Sequence, residues 1–68
     1  MEREKIKDWT GKIIGFIDTY PDGNKLLRNF YGKIIGRYDK RMNVTRDFYG
    51  RLIARGDHLT LLLDKPNK

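Results

Sequence analysis

A ten-residue segment occurs three times in this chain, and this repetition constrains the fold more than any other sequence feature. The copies run over 9–18 (WTGKIIGFID), 30–39 (FYGKIIGRYD) and 48–57 (FYGRLIARGD). Aligned on Gly11, Gly32 and Gly50, they share an aromatic residue two positions before the glycine, a basic residue after it and then an aliphatic pair. Repetition of this kind indicates one supersecondary unit that is used several times.

Each copy predicts strands rather than a helix. The aliphatic run after each glycine is short and rich in isoleucine, a composition typical of strands. Glycine within such a run would cost about 1 kcal/mol relative to alanine in a helix. We therefore predict outgoing strands over 12–17, 33–38 and 51–55 and returning strands over 3–9, 24–30, 43–49 and 58–63.

Turn residues separate each outgoing strand from the returning strand that follows it. In 20–24, proline presets φ, aspartate can bond the backbone that follows it, and Gly23 supplies a positive φ. In 40–43, Asn43 can adopt the left-handed conformation, and the pair Gly56-Asp57 is typical of a two-residue hairpin turn. Each unit is therefore predicted to be a β-hairpin, and the repeated glycine would join one hairpin to the next.

A second small residue lies inside the outgoing strand of each copy. This position is occupied by Gly15, Gly36 and Ala54. Glycine within a strand indicates either close approach near a shared axis or an aromatic ring that lies over bare backbone. The cover that we predict is the aromatic column Trp9, Phe30 and Phe48.

The predicted fold class is all-β: a small single domain of three to four repeated β-hairpins arranged pseudo-symmetrically around an apolar centre. The hairpin repeat domain covers 1–63, with units at about 9–29, 30–47 and 48–63, an extra N-terminal strand at 3–9 and a polar tail at 64–68. The predicted centre consists of the aromatic column, the aliphatic pairs and two late leucines: Trp9, Phe30, Phe48, Ile13, Ile14, Ile34, Ile35, Leu52, Ile53, Leu61 and Leu63.

Self-association is expected for a chain of this size. A domain of 68 residues buries only about 60% of the surface that its unfolded chain exposes, and the absence of cysteine excludes disulfides as a supplement. The N-terminal strand has no partner within a repeat unit, so it is expected to pair with another strand, either within the chain or in a second copy. The apolar run 59–63 would invite pairing if it lay at an exposed edge. We expect a homo-oligomer, with another protein as the alternative partner.

The repeat resembles the bacterial families called β-flowers, in which short hairpins radiate as petals around a common apolar centre. The resemblance rests on the motif G-[KR]-[IL]-I-[GA], preceded by Asp or Asn and an aromatic residue, and it covers 9–63. It implies a three-fold or four-fold arrangement of hairpins. It implies no activity and no catalytic residue, since these families have none assigned.

Positive charge recurs once per unit and supplies the candidate binding residues. The chain has 15 Lys and Arg against 9 Asp and Glu, a net charge of +6. Beside Tyr31 and Tyr49, such cations could track phosphates while the rings stack on bases. The alternative is a solvated strand face, on which cations discourage edge aggregation. The candidate nucleic-acid-binding residues are Lys12, Lys33, Arg51, Arg28, Arg46, Arg37 and Arg55.

Catalytic and metal-binding arrangements are not evident in the sequence. The recurring carboxylates, among them Asp18, Asp39 and Asp57, follow the period of the fold, which favours turn chemistry and cross-strand pairing. His58 is the single histidine and there is no cysteine, so no arrangement of nucleophile and base can be assembled, and a metal site is not expected. We predict no catalytic residue, no metal and no cofactor.

The sequence therefore predicts a non-enzymatic structural or protein-interaction module, with a nucleic-acid-binding module as the alternative. The charged opening 1–9 has no signal-peptide pattern, and no stretch is apolar enough for a transmembrane segment. We expect a cytoplasmic protein with no membrane partner.

Overall fold

In a computed structural model, the described residues 1–63 form six antiparallel strands in one open sheet. The strands are β1 (Glu2–Lys7), β2 (Ile13–Thr19), β3 (Lys25–Asn29), β4 (Ile34–Asp39), β5 (Val44–Asp47) and β6 (Leu52–Arg55). Each strand pairs with its neighbours in sequence, so their order in the sheet is β1-β2-β3-β4-β5-β6. The all-β, hairpin-rich prediction is confirmed. The predicted polar tail 64–68 lies outside the described residues.

The repeated glycine lies within a hairpin turn and does not separate one hairpin from the next. β1 pairs with β2 around Gly11, β3 with β4 around Gly32, and β5 with β6 around Gly50. A short turn leaves its flanking strands side by side, so they complete a ladder. One continuous meander results, and the predicted arrangement of hairpins around an apolar centre is not confirmed.

A β-bulge follows each of these glycine turns. The register shifts by one residue at Ile14 between β1 and β2, at Ile35 between β3 and β4, and at Ile53 between β5 and β6. A bulge bends its strand and increases the local twist. The second member of each repeated aliphatic pair therefore curves the sheet at regular intervals.

The prediction of a last strand over 58–63 is wrong, because this segment contains a 3-10 helix (Leu59–Leu62). The buried hydroxyl of Thr45 sets the path of the chain here: it donates to the Gly56 carbonyl at 2.6 Å and accepts from the His58 N–H at 3.0 Å. These bonds turn the chain out of the sheet, so the hairpin turn predicted at 56–57 does not form. We call residues 59–63 the leucine cap. No helix within 1–63 is long and apolar enough to cross a membrane.

The leucine cap closes the core against one face of the sheet. Leu27 in β3 and Leu59 in the cap are fully buried, and Ile17 in β2 packs with them. Complete burial of a leucine side chain stabilises a fold by roughly 2 kcal/mol. The core thus joins residues that are far apart in sequence.

Two glycines allow the cap to approach the sheet. A Cβ atom on Gly15 would lie 3.3 Å from Leu63 Cδ1 and 2.6 Å from the Arg28 carbonyl oxygen, and one on Gly36 would collide with Leu62. The predicted close approach over this small-residue column is present at both glycines. The predicted cover is wrong, because leucines and not aromatic rings occupy it.

Much of the predicted apolar centre is exposed. The exposed members are Trp9, Phe30, Phe48, Leu52, Ile53 and Leu61, while the aliphatic pairs of β2 and β4 and Leu63 are half-buried. The aromatic residues lie in turns, which project beyond the sheet. Leu52 and Ile53 belong to β6, which is an edge strand with a neighbour on one side only among residues 1–63.

A buried carboxylate joins the first three strands. Asp18 accepts hydrogen bonds from Arg3 Nε at 2.6 Å, from Arg3 Nη2 at 2.9 Å and from Arg28 Nε at 3.1 Å. The hydrogen bonds from the Arg3 guanidinium, supported by Arg28, lower the pKa of Asp18 to about 2 against the opposing effect of burial. Asp18 is therefore a structural anion and stays charged at neutral pH.

Candidate nucleic-acid interface

Three repeat-related turns lie at one end of the sheet and share one backbone geometry. We call them turn 1 (8–12), turn 2 (29–33) and turn 3 (47–51). In each, the glycine N–H donates to the carbonyl of the first residue at 3.0 Å, and the N–H of the first residue donates to the carbonyl of the fifth at 2.9 or 3.0 Å. The glycines Gly11, Gly32 and Gly50 have φ of +90°, +87° and +85°, which glycine adopts without steric cost.

The first residue of each turn is Asp or Asn because its side chain builds the turn. Oδ1 of Asp8, Asn29 and Asp47 accepts the N–H groups of the third and fifth residues at 2.8–3.0 Å. The hydrogen bond from the Thr10 hydroxyl is the main cause that lowers the pKa of Asp8. Desolvation raises the pKa of Asp47, but the hydrogen bonds from Arg51 and Tyr49 outweigh it and lower the pKa overall. These side chains have a structural role, as their turn-like positions predicted.

Exposed aromatic rings occupy the second position of all three turns and the third position of turns 2 and 3, where turn 1 has Thr10. The exposed fractions are 95% for Trp9, 55% for Phe30, 88% for Tyr31, 52% for Phe48 and 78% for Tyr49. Within turns 2 and 3 the two rings pack edge to face, with centroids 5.4 and 5.2 Å apart. Such pairs are stabilised by the ring quadrupoles, so turns 2 and 3 each display a pre-formed pair of rings, and turn 1 displays the single ring of Trp9. We call this end of the sheet the aromatic edge.

The backbone of these turns does not require aromatic residues. Residues 20–24, at the opposite end of the sheet, form the same turn: the Tyr20 N–H donates to the Asn24 carbonyl at 2.9 Å, and Gly23 has φ of +93°. Its second and third positions are Pro21 and Asp22. The rings of the aromatic edge are therefore a property of its surface and not a condition of its fold.

A cation stands at the fifth position of each turn. Lys12, Lys33 and Arg51 are exposed there, beside the rings of the same edge. The Arg51 guanidinium lies 5.7 Å from the centroid of the Tyr49 ring, and its Nε bonds Asp47 Oδ2 at 2.8 Å. The structure thus brings this predicted column of cations together with the exposed aromatic residues.

The other predicted binding residues have different positions. Arg28 and Arg46 support the turns, since Nη1 of each donates at 3.0 Å to the carbonyl of Gly32 or Gly50. Arg37 and Arg55 are exposed on strands β4 and β6. Arg37 alternates with residues that pack against the core, so it projects from the opposite face of the sheet. We leave Arg28, Arg46, Arg37 and Arg55 out of the interface.

The carboxylates that recur in each repeat are not brought together, because each makes a separate contact. Asp18 bonds two arginines, Asp39 Oδ1 accepts the Arg41 N–H at 3.0 Å, and Asp57 pairs with Lys25 at 2.6 Å. Across residues 1–63, no group of three or more His, Asp or Glu side chains is placed to hold a metal ion.

Sequence reasoning missed the exposure of the aromatic column. The signal that could have revealed it is the spacing [DN]-x-x-G-[KR], which is typical of a hairpin loop with glycine in the left-handed region. In such a loop the second and third residues lie at the tip, so the rings between Asp or Asn and glycine are directed outward.

No protein-family model, curated protein or solved structure matches this chain. Fold and site together define a small all-β protein with an exposed edge of aromatic rings and cations. Membership of the β-flower families stays a prediction.

Proposed function

We propose that this protein is a non-enzymatic binding module and that its aromatic edge binds single-stranded nucleic acid. The proposal depends on one observation: three turns of equal geometry present exposed rings together with a cation each, whereas the matching turn at 20–24 presents neither. Exposed rings and cations that the backbone does not require support the proposal that this surface binds a partner.

The ligand is proposed from the chemistry of the edge. Bases offer apolar faces that stack on aromatic rings, and such stacking contributes about 1–3 kcal/mol per base. Phosphates offer negative charge to Lys12, Lys33 and Arg51. Unpaired strands expose both groups at once, whereas duplexes hide the faces of their bases, so a single strand fits this edge better than a duplex.

Salt dependence gives the first test. The protein is titrated into a labelled oligothymidylate of about 12 nucleotides, and anisotropy is followed between about 50 and 200 mM salt. Three phosphate contacts contribute about −2 to the slope of log affinity against log salt. A matched duplex should bind more weakly. Absence of binding at low salt contradicts the proposal.

Two triple variants of equal charge separate the edge from general basicity. Lys12→Ala/Lys33→Ala/Arg51→Ala removes the cations of the aromatic edge, and Arg37→Ala/Arg41→Ala/Arg55→Ala removes exposed cations elsewhere; each lowers the net charge from +6 to +3. We expect the first to lose at least about 10-fold in affinity and about 2 in salt slope, and the second to change both much less. Equal losses would assign binding to net charge alone.

Vesicles of phosphatidylserine and phosphatidylcholine provide the contrasting anionic surface, because rings and cations together also suit a membrane interface. Retention on vesicles without binding to the oligonucleotide would overturn the proposed ligand.

Self-association is the second function that an observation favours. Leu52 and Ile53 are exposed on the edge strand β6, and an apolar strand edge favours pairing with another chain. We propose a homo-oligomer that forms through the edge strand β6, which agrees with the expected interaction module. We also propose a cytoplasmic location. Light scattering of wild type and Ile53→Lys tests the homo-oligomer: a monomer at high micromolar concentration refutes self-association.

A further inference from the structure

Two clefts on the aromatic edge are lined by the same positions of the repeat. The cleft between turns 1 and 2 has a volume of about 610 Å³ and is lined by Lys12, Ile13, Ile14, Asn29, Phe30 and Tyr31. The cleft between turns 2 and 3 has a volume of about 260 Å³, and its lining includes the equivalent set Lys33, Ile34, Ile35, Asp47, Phe48 and Tyr49. Each cleft thus combines a cation, an aliphatic pair and two rings.

We propose that these clefts are two repeat-related nucleotide subsites, each of which takes one base, and that a single strand runs across the turns from one to the other. This inference rests on the proposed function and adds to it a number of subsites and a path. The ring pair supplies the stacking surface, the aliphatic pair supplies an apolar floor, and the lysine at the fifth position of the preceding turn meets a phosphate.

The side-chain acceptor oxygens of Asn29 and Asp47 in the clefts favour binding without sequence preference. Oδ1 of Asn29 and of Asp47 is occupied by two backbone N–H groups of its own turn, and Asp47 Oδ2 accepts from Arg51. These acceptors are therefore committed to the turns and do not read the edge of a base. Ring faces accept any base, because every base has a π-face.

The spacing of the turns sets the length of strand that occupies both subsites. Neighbouring turns are separated by two strand spacings, roughly 10 Å along the edge. A single strand that is stretched beyond its duplex rise of about 3.4 Å per nucleotide covers this distance in about two nucleotide steps. One nucleotide therefore lies between the two bound bases, and the shortest strand that fills both clefts has three nucleotides.

The second cleft has the smaller volume, and three additional side chains line it. Asn29, Arg51 and Leu62 of the leucine cap contribute there, and the Arg51 guanidinium lies near the Tyr49 ring. The cap thus connects the core of the protein to the second subsite.

Short and long probes test the two-subsite arrangement in the full chain. The thymidine dinucleotide cannot reach both clefts, so two molecules should bind per chain and shift the amide signals of both Ile14 and Ile35 in NMR spectra. Tyr31→Ala should abolish the shift at Ile14 and leave that at Ile35, with one molecule bound. Tyr49→Ala should give the reverse.

A strand of about eight nucleotides occupies both clefts at once. One such strand should bind per chain, and each single Tyr→Ala substitution should weaken it about 10-fold or more. Met42→Ala, an exposed apolar position in the turn at the opposite end, is the matched control and should leave the affinity unchanged. Thermal unfolding should show that all variants are folded at the temperature of the titration, because Tyr31, Tyr49 and Met42 are exposed.

The outcomes separate the two proposals. A long strand that binds while the dinucleotide shifts signals at one cleft only, or while either tyrosine variant binds as wild type, overturns the two subsites and leaves the proposed function in place. A long strand that does not bind at low salt overturns both.

Discussion

The two ends of the sheet are built from similar turns but differ in what they expose. At the aromatic edge, turns 1 to 3 repeat the same sequence pattern, and their rings and cations are exposed. At the opposite end, the three connections differ from one another. The turn at 20–24 has the same backbone, with proline and aspartate at its centre, and the turn at 40–43 is shorter and contains Asn43 at φ +55°. The third connection, at 56–58, leads into the leucine cap. One end is uniform and exposed, and the other is varied and includes the connection that closes the core.

This difference indicates a division of roles between recognition and stability. The turns of the aromatic edge do not need its rings and cations in order to form, since the turn at 20–24 forms without them. These rings and cations are exposed, whereas the fully buried side chains, which are those of Leu27, Leu59, Thr45 and Asp18, lie elsewhere. Changes at the aromatic edge should therefore alter binding with little effect on stability, and changes in the cap or at Asp18 should do the opposite.

The largest expected effect is on stability, from Leu59→Ala in the leucine cap. Leu59 is fully buried against Ile17 and Leu27, and truncation of such a leucine lowers the free energy of unfolding by about 2–5 kcal/mol. Urea titration measures it, with exposed Leu61→Ala as the control that should change by less than about 1 kcal/mol. The folded fraction of Leu59→Ala should retain the affinity for oligothymidylate. An unchanged free energy of unfolding in Leu59→Ala would show that the cap does not close the core.

Next in size is the effect of a turn exchange on binding. The double variant Phe30→Pro/Tyr31→Asp gives turn 2 the central residues of 20–24, and its backbone bonds should form because the Phe30 N–H is not among those that build the turn. Loss of stacking of about 1–3 kcal/mol per base predicts an affinity at least about 10-fold lower. Thermal unfolding should move little. A converse exchange, Pro21→Phe/Asp22→Tyr, should not raise the affinity, and a rise would mean that rings bind wherever they are exposed.

A smaller effect is expected when acid protonates the buried carboxylate of Asp18 and lowers the free energy of unfolding. Because the pKa of Asp18 is lowered from 3.8 to about 2, its stabilisation is complete above pH 4 and is lost as the pH falls towards 2. The expected loss is at most about 2 kcal/mol of unfolding free energy. Denaturation at a series of pH values measures it, and Asp18→Asn should remove this part of the pH dependence. An unchanged acid profile in that variant would contradict the assignment.

The smallest effect should distinguish turn 2 from turns 1 and 3. Asp8 and Asp47 have lowered pKa values, so acid should weaken the bonds that these carboxylates accept, whereas Asn29 makes the same bonds without a titrating group. Amide shifts of Gly11 and Gly50 should change with pH below about 4, while Gly32 stays constant. Asp47→Asn should make Gly50 behave like Gly32; a Gly50 signal that still titrates would assign the change to another group.

Local features of the fold were determined by the sequence alone. The six strands present in residues 1–63 correspond to predicted ones, and Gly23 and Asn43 have the positive φ that their turn positions indicated. Strand composition, turn residues and glycine positions act through backbone geometry over a few neighbouring residues, and short-range geometry can be predicted from sequence.

Only the tertiary structure decided which apolar groups are buried. The run 58–63 favoured a strand by composition, but Leu59 gains more by packing against Ile17 and Leu27, and the Thr45 hydroxyl turns the chain towards them. Trp9, Phe30 and Phe48 remain outside, because their turns carry them beyond the sheet while the leucines already cover Gly15 and Gly36. Burial depends on the sum of contacts between distant segments, and no repeat column specifies that sum.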